Sequence, residues 1–301
     1  KKLIEDYPTN EVIKSYFEKS SQYAYLNTNI EGVEVSVKYT GDSIYNYLGK
    51  TPIDSFPVSK SRKSHILKLD YDGKEFFQNS KLFHNYVFPN KNIKIPENHK
   101  AFLGSDSWMF LQGVNFDNVK IDPFSISKNE VSNKDFQQFV DDGGYENPLY
   151  WDFPFQIGNQ TLDFNSTVKL FTDKYGKLGP ANWSYGKYPS GLEDHPVTGI
   201  SWFEAKAYAK YKNMSLPNIF QWLYASGLPE DWFEINRSVT NDSNYNSAQT
   251  RSVNNNNGSY NELNNIGGNV KEWTLNPNGD SKEKFSILGG SFSEQPYTFN
   301  N

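Results

Sequence analysis

Ser201 followed three residues later by Glu204 is the strongest folding signal in this chain, because this spacing satisfies two orphan amides at one helix start. The serine hydroxyl accepts from the first turn, and the carboxylate reaches back to the amide of Ser201. A helix is predicted from about Trp202 to Lys212. Asn218 and Gln221 repeat the arrangement with amide side chains, and Pro217 discourages helical continuation from upstream, so a further helix starts near Ile219. Ser132 with Asp135 is a third pair of this kind. Behind it Phe136, Phe139 and Val140 share one face until Gly143-Gly144 stops the run. Asn213 tolerates a left-handed backbone and is placed to close the helix before it.

Composition bounds what these elements belong to. With 301 residues, 36% hydrophobic and 16% aromatic, the chain can bury one large core or two unequal ones. A formal net charge of -5, with acids and bases mixed along the chain, offers no basic face to a phosphate backbone, so no nucleic-acid partner is expected. No run reaches the ~18 apolar residues needed to cross a bilayer, and the start at Lys1 lacks the pattern of a signal peptide. The first residue is not Met, so the chain reads as a fragment or a trimmed product. It contains no cysteine, which removes disulfides, thiolate metal sites and thiol catalysis from these residues while leaving the compartment open.

Texture along the chain suggests three parts. Residues 1–29 read as a helical lead-in, with Val12, Ile13, Tyr16 and Phe17 near helical spacing after Thr9-Asn10 and expected to pack against something. Residues 30–94 read as strands: Val33, Val35 and Val37 alternate with polar residues, Leu48-Gly-Lys-Thr-Pro-Ile turns into a short strand, and His65 to Tyr71 alternates up to Asp72-Gly73. A small β-sandwich fits this stretch. Its order of a valine-alternating strand, Gly-Lys-Thr-Pro-Ile and a strand ending in Asp-Gly resembles PEGA-type modules. The third part runs over residues 95–301.

The third part carries a more specific resemblance. His195-Pro-Val-Thr-Gly-Ile-Ser-Trp-Phe-Glu-Ala, Leu216-Pro-Asn-Ile-Phe-Gln-Trp, Gly267-Gly-Asn-Val-Lys-Glu-Trp and Leu288-Gly-Gly-Ser-Phe occur in the order typical of the formylglycine-generating enzyme family, the sulfatase-modifying-factor domain. Lys128-Asn-Glu-Val-Ser-Asn-Lys-Asp-Phe is similar to another segment of that family. The resemblance implies an α+β fold of C-type-lectin-like architecture with little regular structure, whose closing strand falls beyond this chain. Gly143 to Trp151, Phe171 to Trp183 and Tyr188 to Val197 look like members that follow a bacterial serine/threonine kinase. A kinase domain in the parent chain and a membrane tether upstream of Lys1 are therefore expected, with an extracytoplasmic placement.

What the resemblance implies about chemistry is divided. Catalytic members bind copper through a cysteine pair near the C-terminus, whereas the kinase-linked members generally lack it, so no copper is expected here. The competing expectation is a copper oxidase, or a related iron enzyme, with catalytic residues beyond Asn301. His65, His84, His99 and His195 have no metal-ligand spacing, and His195 reads as structural. In the family the residues matching Asn269 and Glu272 bind calcium together with backbone carbonyls. Asn269, Val270, Glu272 and Asn244 are thus the candidate calcium ligands, oxygen donors being what this hard cation requires. The other reading is a turn held at Asn269 by hydrogen bonds, with Glu272 solvated. Seven tryptophans, among them Trp151, Trp183 and Trp222, either line a groove for a protein or glycan ligand or, more in keeping with a fold of little regular structure, build the core. The expected role is a sensor or docking module without oxidase chemistry.

Overall fold

Asn10 starts the first described element. Its side-chain oxygen accepts from the Val12 amide at 3.1 Å, and its carbonyl accepts from Lys14. Helix α1 (Glu11–Ser20) leads directly into strand β1 (Ser21–Thr28), so the expected lead-in is helical only in part. The cause is a period of two: Ala24 and Leu26 are buried while Tyr23 and Tyr25 face out. Val12 and Tyr16, expected to pack, are 78% and 74% exposed. These observations come from a computed structural model, which describes residues 9–39, 43–59, 65–79, 84–86, 88, 95–103, 105–111, 114–152, 155–157, 159–227, 243–255, 263–278 and 284–296.

The chain divides into two compact units: Lys1–Trp108 with Asp117–Ile126 and Gly227–Glu234, and Met109–Phe116 with Ser127–Ser226 and Ile235–Asn301. In the first, β1 lies between β4 (Ile53–Ser59), antiparallel to it, and β7 (His84–Tyr86), parallel to it. A six-stranded sheet has the order β11-β8-β6-β5-β2-β3, where β2 is Glu34–Tyr39, β3 Asn46–Lys50, β5 His65–Tyr71, β6 Lys74–Asn79, β8 His99–Phe102 and β11 Phe124–Ser127. Asp72 and Gly73, both at positive φ, make the β5–β6 turn where the sequence placed it. Both sheets contribute to one core, with Ala24, Leu26, Phe56 and Val58 from the smaller and Val35, Val37, Leu67, Leu69 and Phe76 from the larger. The third part was expected to open at residue 95, but Ala101 and Phe102 pair with Phe76 and Phe77 and belong to this first unit. Their apolar side chains complete its sheet. Strands β9 (Ser105–Leu111) and β10 (Val114–Ile121) form a two-stranded sheet.

The second unit is built from short elements joined by ordered loops: α2 (Asn133–Asp141), β12 (Phe155–Ile157) paired with β13 (Gln160–Leu162), α3 (Phe164–Val168), α4 (Trp202–Tyr211), α5 (Ile219–Ser226), and β14 (Glu272–Pro277) paired with β15 (Phe285–Leu288). Each predicted helix start is present. The α4 capping box is complete, with Glu204 N–H to Ser201 Oγ at 3.3 Å and Ser201 N–H to Glu204 Oε2 at 2.7 Å. Asn218 and Gln221 exchange amide hydrogen bonds at 2.8 and 2.9 Å ahead of α5. Before α2 the Asp135 amide donates to Ser132 Oγ, but the carboxylate takes the Ser132 hydroxyl rather than its amide. Asn213 sits at φ +56 and closes α4 as expected.

With so little regular structure, rings supply the core. Phe136 stacks on Tyr208, and Phe139, Tyr145, Trp151 and Trp183 pack edge-on or tilted around them. Trp151, Trp183, Trp202 and Trp222 are all buried, which favours the core reading of the tryptophans over a groove. The side chains of Trp108 and Trp232 lie outside the described residues. Among the described residues no helix is long and apolar enough to cross a membrane.

Candidate functional site

The candidate ligands meet where two tight turns fold onto the residues preceding α2. Gly268 at φ +74 and Asn269 at φ +55 form the turn. A Cβ on Gly268 would lie 2.7 Å from the Asn244 carbonyl, so the two segments touch only because residue 268 has no side chain. The Gly268 amide donates to the Gly289 carbonyl at 2.7 Å, and the Asn269 amide to the Asn244 carbonyl at 2.9 Å. The Asn269 carbonyl in turn accepts from Phe292 at 2.9 Å.

Asn269 is fully buried, and every valence of its side-chain amide is used inside the protein. Its Nδ2 donates to Glu130 Oε2 at 2.8 Å and to the Arg251 carbonyl at 3.2 Å. Its Oδ1 accepts from the Arg251 amide at 2.8 Å and from Asn244 Nδ2 at 3.0 Å. Two acceptors on one end and two donors on the other fix the orientation of the amide. Asn265, also buried and at positive φ, extends the network: its Nδ2 donates to Glu130 Oε2 at 3.0 Å, and Arg251 Nε donates to its Oδ1 at 2.7 Å. Asn264 bonds Asn129 at 2.7 Å. Five asparagine side chains thus knit residues 128–130, 244–254 and 264–269 together.

The two carboxyls of the site are Glu130 and Glu272. Burial pushes Glu130 well above the usual carboxylate range, the charge of Glu272 pushes it further, and hydrogen bonds from Asn269, Asn265 and the Val270 amide partly oppose this. Oε1 of Glu130 is buried without a hydrogen-bond partner. Burial likewise raises Glu272 to about 7, opposed by the indole N–H of Trp222, which donates to Oε2 at 2.5 Å. Glu272 was expected either to bind a cation or to be solvated. It does not face solvent as a free surface acid, because Trp222 holds it.

Two of the side chains proposed for calcium are engaged with other partners. Both lone pairs of Asn269 Oδ1 are taken by N–H donors, and the end of Asn244 that points into the site is its NH2. Val270 donates its amide to Glu130, a bond that does not use its carbonyl, and Trp222 donates to one of the two Glu272 oxygens, Oε2. Asn244 and Asn269 thus meet in a hydrogen-bonded hub that Val270 joins through Glu130, while Glu272 bonds Trp222. Among the described residues no group of three or more His, Asp or Glu side chains could hold a metal ion. His195 Nδ1 pairs with Thr250 Oγ1 at 2.9 Å, a structural tie.

Sequence reasoning gave no role to Glu130, Arg251 or Asn265, and read Trp222 only as a groove or core residue. Glu130 stood in the quoted segment Lys128 to Phe136 directly before the α2 cap, and that position was its only available signal.

The fold and this asparagine hub define a sulfatase-modifying-factor type of domain. The chain matches the family described as the sulfatase-modifying factor enzyme 1-like domain over residues 106–301, and it belongs to that family. It is 27% identical over 227 residues to the protein YfmG of Bacillus subtilis (strain 168), covering 66% of this chain and 41% of that one. It is 28% identical over 104 residues to the hercynine oxygenase of Mycolicibacterium smegmatis (35% of this chain, 23% of that one). It is also 29% identical over 116 residues to the formylglycine-generating enzyme of Bos taurus (36% and 31%). The chain thus spans less than half the length of each of these relatives.

Proposed function

We propose that this chain is a binding or docking module that uses the sulfatase-modifying-factor fold without its oxidase chemistry. One observation carries the reading: the Asn269 side chain at the polar centre is fully committed within the protein. Asn269 spends all its hydrogen-bonding capacity on Glu130, Arg251 and Asn244, and these 301 residues hold no thiol to bind copper. In such a domain the hub fixes the loops, and the loops meet the ligand. The N-terminal unit, with two sheets around one core, is read as a PEGA-type β-sandwich, and the whole as the sensory part of a longer, membrane-tethered kinase placed outside the cytoplasm.

Similarity to a hercynine oxygenase and a formylglycine-generating enzyme favours a second reading, an enzyme of one of those types with its catalytic residues beyond Asn301. The purified chain distinguishes the two. A binding module takes up no stoichiometric copper and consumes no oxygen with a cysteine-containing peptide or with hercynine. Turnover, or one tightly held copper ion, would establish the enzyme instead.

A further inference from the structure

Tyr175 and Tyr185 stack face to face, with ring centroids 4.0 Å apart and planes 12° apart, yet they are 58% and 67% exposed. Two short loops hold them. The buried carboxylate of Asp173 accepts from the amides of Tyr175 at 2.8 Å, Lys177 at 3.0 Å and Gly186 at 2.6 Å, and so ties one loop to the other. Burial opposes the charge on Asp173, but these amides hold its carboxyl below the usual range. The loops abut closely: a Cβ on Gly186 would lie 3.9 Å from Lys177 Cβ.

Stability alone does not account for this arrangement. Tyr185 adopts φ +56, a conformation that glycine or asparagine accepts without strain and that a bulky ring does not. The ring it displays there leaves most of its surface in water, so little apolar burial offsets that strain. The same two loops carry Lys174, Lys177 and Lys187, all exposed. Lys187 pairs with Asp141 at 3.1 Å, the charge of Lys177 helps the three amides hold the Asp173 carboxyl down, and neither Lys174 nor Lys177 makes an ion pair among the described residues. On a chain of net charge -5 the two loops are a local cationic, aromatic patch.

We propose that this patch binds an acidic sugar, a uronic-acid unit of a polysaccharide, stacked on an outer face of the Tyr175–Tyr185 pair with Lys174 and Lys177 as the carboxylate partners. The electrostatics select the ligand. A tyrosine face carries partial negative charge and attracts polarised C–H groups, so a carboxylate alone is repelled by it while drawn to the lysines. A unit that satisfies both needs a flat C–H-rich face and an anionic group side by side, which a hexuronate ring has and an acidic peptide side chain lacks. Two lysines are too few for the phosphate neutralisation on which nucleic-acid affinity rests. The proposal deepens the binding-module reading by naming its ligand class.

The test is calorimetric titration of the whole chain with an oligogalacturonate of defined length, its fully methyl-esterified counterpart, polyglutamate and oligo-dT. Binding of the oligogalacturonate alone is expected, weakened at least about tenfold by Tyr185→Asn, which keeps the left-handed backbone, and by the surface pair Lys174→Glu/Lys177→Glu. Both variants should melt within a few degrees of the wild type. Absence of oligogalacturonate binding, equal binding of the ester or by the variants, or preferential binding of polyglutamate or oligo-dT would overturn the proposal. Oxygen consumption measured on the same preparation keeps the questions apart, since turnover would sink the non-catalytic reading and leave uronate binding standing.

Discussion

Trp222 donates its indole N–H to Glu272 at 2.5 Å, so a buried helix residue and the acid of the Gly267 to Trp273 turn form one part-buried pair. The pair has a consequence for pH. Burial raises the Glu272 carboxyl to about 7, above the unfolded range, so between about pH 4.5 and 7 the native state holds a proton that the unfolded state has released. Stability therefore falls as pH rises through that window. Glu130, raised for the same reason and by the charge of Glu272, acts in the same direction. Denaturant unfolding at pH 5 and pH 8 should differ by on the order of 3 kcal/mol for Glu272 alone, with the higher stability at pH 5. Glu272→Gln keeps an acceptor for Trp222 and should flatten most of this slope. An equal slope in the variant would place the titrating group elsewhere.

Asn269 supports a second prediction. Asn269→Ala leaves the Arg251 amide and the Arg251 carbonyl without their partner in a fully buried site, and takes one of two donors from Glu130 Oε2, so it should cost about 2 to 4 kcal/mol. Because the Asn269 oxygen is already saturated, millimolar calcium or a chelator should leave the melting temperature of the wild type unchanged. A rise with calcium that Glu272→Gln abolishes would restore the cation site and retire the hydrogen-bonded hub.

Local signals explain which parts of this architecture could be read in advance. The starts of α2, α4 and α5 were legible because a cap is written in residues three apart, and Asn213 because its neighbours alone decide its backbone. The pairing of Ala101 with Phe76 was not legible, since a parallel strand partner lies many residues away and leaves no local mark. The helical spacing of Val12 and Tyr16 was real in sequence, yet burial does not follow from spacing alone. At the hub the residues were legible and their hydrogen-bond partners were not. Whether an asparagine oxygen faces an ion or two amides depends on Arg251 and Asn244, residues that sequence could not place beside it.

Gly144 gives a packing prediction. A Cβ built there would lie 2.1 Å from the ring of Phe139, which is itself wholly buried among Phe136, Tyr145 and Tyr208. Surrounding rings block its retreat. Gly144→Ala should therefore destabilise by about 2 to 4 kcal/mol, whereas Gly176→Ala, where nothing lies within 4 Å, should show only the smaller strain of its positive φ. Equal melting temperatures for the two variants would mean that Phe139 can move.

The last prediction concerns the α4 cap, where Glu204 does two tasks with its two oxygens. Oε2 accepts from the Ser201 amide at 2.7 Å, and Oε1 accepts from the Tyr145 hydroxyl at 2.6 Å, joining the helix start to the aromatic core. Burial raises this carboxyl, while the Ser201 amide and the Tyr145 hydroxyl pull it back toward the charged form. Tyr145→Phe removes one donor and should cost about 1 to 2 kcal/mol. Glu204→Ala should cost more, because it leaves both the Ser201 amide and the Tyr145 hydroxyl without their acceptor. If the hydroxyl and carboxyl work as a pair, the double variant will be less destabilised than the sum of the two by at least about 0.5 kcal/mol. Strict additivity would show that the helix cap and the core contact at Tyr145 are energetically separate.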